Sequence, residues 1–234
     1  MVQDDRLEIL NDLAAVLVDF QAGSLVRIAI DGRTASGKTT LADELASLIG
    51  KRGRPVIRTS IDGFHRPKVE RYARGRQSPQ GYYFDARDLP AIVDLLLKPL
   101  GPGGNRLYRT ASFDLDSDRP IQQEPLTAPG DAILIVDGTF LQRPELQGGW
   151  DLAIFVETSE QLSESRGITR DAGRLGGGEI ARRLYAERYR PAFAIYQHLC
   201  APALTADIVI DNEAFHRPDV RFAPNGRASK DLLP

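Results

Sequence analysis

The sequence has one cysteine, one methionine, one tryptophan and three histidines in 234 residues. Lone Cys200 excludes an internal disulfide, and neither it nor His198 or His216 has a partner at the spacing of a zinc site. A reducing cytoplasm is the expected compartment. Long apolar runs are missing too. No stretch reaches the roughly 18 residues of a membrane-spanning helix, and the acidic start from Met1 to Arg6 lacks the pattern of a secretion signal. Charge of one sign is also missing, since 30 basic residues face 32 acidic ones for a net charge of -2. Without a global basic field, duplex nucleic acid is not an expected partner, and neither is a membrane; a small molecule is. Lysine is scarce, with five among the 30 basic residues, so a lysine inside a motif carries weight.

Against these absences stands an alternation of short β-branched runs and helical patterns. Leu7, Leu10, Leu13, Leu17 and Phe20 recur at helical spacing, and Asp5 with Glu8 suits a capping box, so residues 5–21 read as an amphipathic helix. Strands are expected at 25–31, 56–61, 132–137, 152–156 and 207–210, with helices around 38–50, 88–98, 159–170 and 179–200. Near-continuous apolar strands between helices predict an α/β fold, a parallel sheet of about five strands covered on both faces. One domain over 1–234 is expected. Its parts read as an N-terminal helix (1–22), a polar excursion rich in Arg, Tyr, Gly and Pro (62–131), a segment (166–178) whose glycine-punctuated end, 173–178, reads as mobile, and a loosely held tail (216–234). No repeat or heptad identifies an interface between copies.

Gly32-Arg33-Thr34-Ala35-Ser36-Gly37-Lys38-Thr39 matches G-x-x-x-x-G-K-[ST], between an expected strand and an expected helix. The spacing has a physical reason. The glycines let backbone N–H groups converge on phosphate oxygens, and the helix start adds its positive end. Lys38 reaches the β- and γ-phosphates, and the Thr39 hydroxyl ligates magnesium. Gly32, Thr34, Ala35, Ser36, Gly37, Lys38, Thr39 and Thr40 are therefore expected to hold a nucleoside triphosphate such as ATP, with Mg2+. A phosphate loop alone serves switches, motors and kinases alike, so the second substrate must be read elsewhere. Asp62 ends the second strand at the same sheet edge, where a carboxylate can accept a hydroxyl proton or hold magnesium. An N-K-x-D element, which would favour a guanine-reading switch, is absent.

GRTASGKT, SIDGFHRP, SPQGYYFDARDL, IVDGTFL, RGITRD and AERYRPAF occur in the order and approximate spacing of the phosphoribulokinase/uridine kinase family, which the chain resembles over residues 28–211. The resemblance implies a P-loop kinase with a lid, phosphorylating a hydroxyl of a small acceptor, a nucleoside first and a pantothenate-like compound or sugar phosphate next. It implies that Asp62 is the catalytic base and a magnesium partner, and that Asp137 is the acid of the strand facing the phosphate loop. Asp85 resembles the acid that holds the acceptor's ribose hydroxyls, with Tyr83 and His65 expected beside it. Arg166, Arg170 and Arg174 resemble lid arginines. Arg170 is expected to stabilise charge during transfer, Arg174 to reach the nucleotide and Arg166 the acceptor. Relatives often form dimers or tetramers. The base pocket departs from the uridine kinase pattern: His65 follows Phe64 where Tyr is usual, Asp118 lies near the usual His, and Leu184 near the usual Gln. Polar groups that would read a pyrimidine are thereby lost.

Overall fold

A computed structural model describes residues 5–228. Its centre is a six-stranded sheet of β1 (Val26–Gly32), β2 (Val56–Ser60), β3 (Ile133–Gly138), β4 (Leu152–Glu157), β5 (Ile208–Asp211) and β6 (Asp219–Phe222). The spatial order is β6-β5-β4-β1-β3-β2, parallel throughout except for β6, which runs antiparallel to β5. Every residue of β1 and β3 is buried, as strands covered on both faces require.

Alternation sorts these strands into two cores. Ile28, Ile30, Ile133 and Ile135 pack with α1 (Asp5–Asp19) and α2 (Lys38–Lys51) on one face. Ala29, Leu134 and Val136 pack on the other with Leu89 and Ile92 of α3 (Leu89–Ile92) and with Trp150. Asp88 caps α3, its carboxylate accepting from Ala91 N at 3.1 Å. Register then positions the chemistry. Asp31 lies opposite Gly138 and Ser60 opposite Asp137, so β1, β3 and β2 end together at one edge.

In the polar excursion the strands are two-residue antiparallel ladders, Leu107–Tyr108 with Leu126–Thr127 and Phe113–Asp114 with Arg119–Pro120, beside α3 and other short helical turns. The stretch expected to be mobile, 173–178, is helical except at Gly176 and Gly177. α4 (Glu160–Leu175) runs through Gly173, ends at Gly176 with φ 91°, and α5 (Gly178–Leu184) begins two residues later. A wider π-helical turn, Tyr185–Tyr189, joins α5 to α6 (Arg190–Cys200).

The tail departs from expectation as well. Rather than hanging loosely after residue 215, it adds β6 to the sheet and buries Ala228 in the first core. Arg227 reaches the buried carboxylate of Asp207 at 2.7 Å and the carbonyl of Trp150 at 2.6 Å. Residues 229–234 of that expectation lie outside the described residues. Burial works to raise the Asp207 carboxyl, but hydrogen bonds from Arg227 and from Ala153 N outweigh it and hold the pKa low. Arg227→Ala is therefore expected to lower stability by about 1–2 kcal/mol in urea unfolding, a figure reduced for the half-exposed guanidinium.

Candidate active site

The phosphate loop is fixed from below and behind. Asp31, fully buried at the end of β1, accepts from Gly32 N at 2.7 Å and Phe140 N at 3.1 Å, and the hydroxyl of Tyr196 also donates to it. Burial pushes this carboxyl above its usual range. Asn212, after β5, donates from Nδ2 to Ser36 O at 2.8 Å, closing the loop from the far side. Gly37 has φ 99°, a conformation L side chains rarely adopt. A Cβ on Gly32 would lie 2.5 Å from Val156 O, so the backbone there packs too closely for any side chain.

Lys38 opens α2 and is 8% exposed, its Nζ donating to Arg33 O at 2.6 Å. Burial lowers its pKa to about 8, against the pull of Asp31, Asp137 and Asp62. The next residue, Thr39, donates from Oγ1 to Asp137 Oδ2 at 2.6 Å. Asp137 Oδ1 is buried without a hydrogen-bond partner, although Arg58 Nη1 stands 2.7 Å away outside hydrogen-bond geometry. A hydroxyl and a carboxylate with a spare oxygen, held against the phosphate loop, fit a magnesium ion that takes its other oxygens from phosphates and water. No group of three or more His, Cys, Asp or Glu side chains that could hold a metal ion occurs among the described residues.

Asp62 follows β2 in a single 3-10 turn, its side chain two-thirds exposed. It is held from one side: Arg87, 8% exposed in its side chain, donates from Nη2 to Asp62 Oδ1 at 2.5 Å and from Nη1 to His65 Nε2. His65 Nδ1 therefore carries the ring proton and donates to the Asp62 carbonyl at 2.9 Å. Burial, then Arg87, drive the imidazole pKa down to about 3, so His65 is neutral. For Asp62, desolvation by the surrounding cleft walls pulls the pKa upward although the side chain is two-thirds open to solvent, but the charges of Arg87 first, then Lys38 and Arg170, outweigh it and hold the carboxyl below its ordinary range.

Two cavities meet at this edge. The smaller, about 250 Å³, is lined by Ala35, Gly37, Lys38, Thr39 and Thr40. The larger, about 640 Å³, is lined by Thr34, Asp62, His65, Tyr72, Tyr82 and a set of cations. Arg170, on α4, lines both.

Several residues expected at the site sit elsewhere. Tyr83 is 2% exposed in an aromatic core with Phe140 and Tyr196, its hydroxyl 3.5 Å from Cys200 Sγ; its neighbour Tyr82 faces the cavity instead. Asp85 is not among the cavity's lining residues and is paired with Arg74 at 2.7 Å. Arg166 and Arg174 exchange places. Arg166 lines the phosphate-loop cavity and donates to Asn212 O at 3.3 Å, whereas Arg174 lines the larger one beside Asp171 at 3.7 Å. Of the departures in the base pocket, Asp118 turns its carboxylate to Arg71 at 3.0 Å.

Residues 27–212 match the Phosphoribulokinase / Uridine kinase family. The chain belongs to that family. This P-loop kinase is 28% identical over 192 residues to uridine-cytidine kinase B of Dictyostelium discoideum, covering 80% of this chain and 74% of that one. It is 27% identical over 187 residues to uridine kinase-like protein 5 of Arabidopsis thaliana, covering 78% of this chain and 38% of the longer relative. Among solved structures, a possible uridine kinase from Bacillus stearothermophilus superposes with a TM-score of 0.68 at 21% identity, over 87% of this chain and 98% of that one, which establishes the shared fold. No helix among the described residues of the kinase is long and apolar enough to cross a membrane.

Sequence reasoning missed Arg71, Arg87, Arg188 and Asn212. Arg87 and Arg188 lie inside two of the motifs that carry the resemblance, FDARDL and AERYRPAF. With 25 arginines in the chain, nothing in composition separates a buried arginine from a solvated one.

Proposed function

We propose that this kinase transfers the γ-phosphate of magnesium-bound ATP directly to a hydroxyl of a small acceptor seated in the larger cavity. The observation that carries the reading is Asp62: an exposed carboxylate on the cavity side of the phosphate loop, oriented by Arg87 rather than buried in the core. The loop amides and Lys38 would hold the β- and γ-phosphates. Thr39 and Asp137 would hold magnesium, which when bound neutralises phosphate oxygens. Asp62 orients the acceptor hydroxyl and takes its proton, and Arg170, bordering both cavities, meets the charge that spreads over the transferring group.

The test is a panel of hydroxyl compounds mixed with protein and magnesium-ATP, following ADP and an added phosphate mass on the acceptor. Nucleosides enter the panel on the names of the relatives; hydroxy acids and sugar phosphates enter it on the cations of the cavity wall. Stoichiometric product on one acceptor is the expected result. ADP with water as the sole acceptor would make the protein a hydrolase and end the reading.

The Arg87 contact yields a pH prediction. The reaction needs ionised Asp62, whose depressed pKa places the loss of activity below the ordinary carboxylate range as pH falls. In Arg87→Gln the largest lowering influence is gone while the desolvation imposed by the cleft walls remains, so the acid limb of the kcat/KM profile moves to higher pH. An unmoved limb would detach Arg87 from the chemistry.

A further inference from the structure

Charge is distributed unevenly over the larger cavity. Six cationic side chains, Lys68, Arg71, Arg87, Arg170, Arg174 and Arg188, line it against three carboxylates. Two of those carboxylates are engaged, Asp62 by Arg87 and Asp171 by Arg170 at 2.9 Å; the third, Asp116, is exposed.

Arg188 stands apart from the rest. It is 7% exposed, its Nε is buried without a partner, and none of its nitrogens has a hydrogen bond or a carboxylate in ion-pair range among the described residues. Its guanidinium lies 4.7 Å from the ring centre of Tyr82, 5.3 Å from Tyr72 and 5.7 Å from Tyr189. The rings orient the cation and shield it, but they use few of its five N–H donors. Arg188 is carried on the π-helical turn Tyr185–Tyr189, next to Tyr189.

A second buried cation shares the seat. Arg71, 4% exposed, lies 5.2 Å from the same Tyr72 ring; its Nη2 goes to Asp118 and its Nε is unpartnered. Two guanidinium groups on one ring, both with idle donors and facing one cavity, are a costly arrangement for a protein whose acceptor is neutral. An anion in this cavity can accept from the terminal Nη groups of Arg188, which hold no hydrogen bond among the described residues, and offset the positive charge of both side chains.

We propose that the acceptor carries its own anionic group, a phosphate or a carboxylate, seated on Arg188 and Arg71 while its hydroxyl faces Asp62. The proposal rests on the kinase reading for the role of the cavity, and on Arg188 for the chemistry of the ligand. It places neutral nucleosides second to hydroxy acids and sugar phosphates. No bond is made or broken at this seat; it binds, and thereby sets which hydroxyl is presented.

The test is calorimetry on the whole protein saturated with magnesium and a non-hydrolysable ATP analogue, so that the phosphate-loop site is filled. Matched probes are ribose 5-phosphate against ribose and glycerate against glycerol, with uridine as the neutral nucleoside. The expected result is that the charged member of at least one pair binds roughly tenfold or more tightly than its neutral partner, and more tightly than uridine. The pair that responds distinguishes phosphate from carboxylate. Arg188→Gln should weaken the anion by ~10- to 100-fold and leave the neutral probes alone, whereas Arg188→Lys should keep part of the affinity. Affinity for the ATP analogue, measured in each variant, reports whether the fold is kept; if a variant does not fold, the wild-type pairs still decide. Equal affinity within both pairs, no binding by any charged probe, or an anion indifferent to Arg188→Gln would overturn the proposal. Anion binding with no acceptor ever phosphorylated would leave the seat standing and sink the kinase reading instead.

Discussion

In Asp62→Asn, transfer to the acceptor is expected to fall by ~10²- to 10⁴-fold, the usual loss on removing a general base, while nucleotide affinity changes by about twofold or less. The substitution keeps size and hydrogen bonding but removes the charge that takes the proton. Two observations confine the effect to chemistry. Asp62 is two-thirds exposed, so the core does not depend on it, and it lines the acceptor cavity rather than the phosphate-loop cavity. The loss should appear in kcat as much as in kcat/KM, because the interaction strengthens in the transition state. Single-turnover transfer together with nucleotide binding measures both halves in one variant, and a fall in affinity equal to the fall in rate would show that Asp62 serves binding instead.

Lys38→Ala should have the second-largest effect: triphosphate binding weaker by ~10- to 100-fold and transfer slower by ~10²- to 10³-fold, since a buried point charge on the β- and γ-phosphates is lost. The wild-type residue carries a further signature. Burial brings Lys38 down to about 8 in the free protein, and a bound triphosphate raises it again. Nucleotide binding above pH 8 should therefore take up a proton at Lys38, visible in calorimetry as an enthalpy that varies with buffer ionisation. Lys38→Ala should abolish that dependence, and an unchanged one would place the proton on another group.

The parts of the fold legible in sequence were those with one physical cause. β1 and β3 are covered on both faces, so their apolar runs are continuous and their limits fall within a residue or two of the expected ones. The phosphate loop is legible because close backbone approach demands glycine at fixed offsets. β6 was not: its four residues alternate exposed and half-buried on a sheet edge, leaving no apolar run to read.

The acceptor side was legible only in part. Arg166, Arg170 and Arg174 recur at four-residue spacing and share a helix face, but eight residues span roughly 12 Å of axis, so the two ends serve different cavities. Tyr82 and Tyr83 are neighbours in a π-helical turn, where no ordinary helical period says which of two tyrosines faces the cavity. Arg87 and Arg188 gain their meaning from burial and from which donors remain unpaired, and both are properties of the folded chain.

The central claim is a carboxylate facing a triphosphate across room for an alcohol. Its most direct test is a crystal structure with magnesium, a non-hydrolysable ATP analogue and the acceptor selected by the panel. The account predicts an Asp62 carboxylate oxygen within about 3.2 Å of the acceptor hydroxyl, with that hydroxyl aimed at the γ-phosphate held by Lys38. A hydroxyl more than about 6 Å from Asp62, with Arg87 still holding the carboxylate aside, would contradict it.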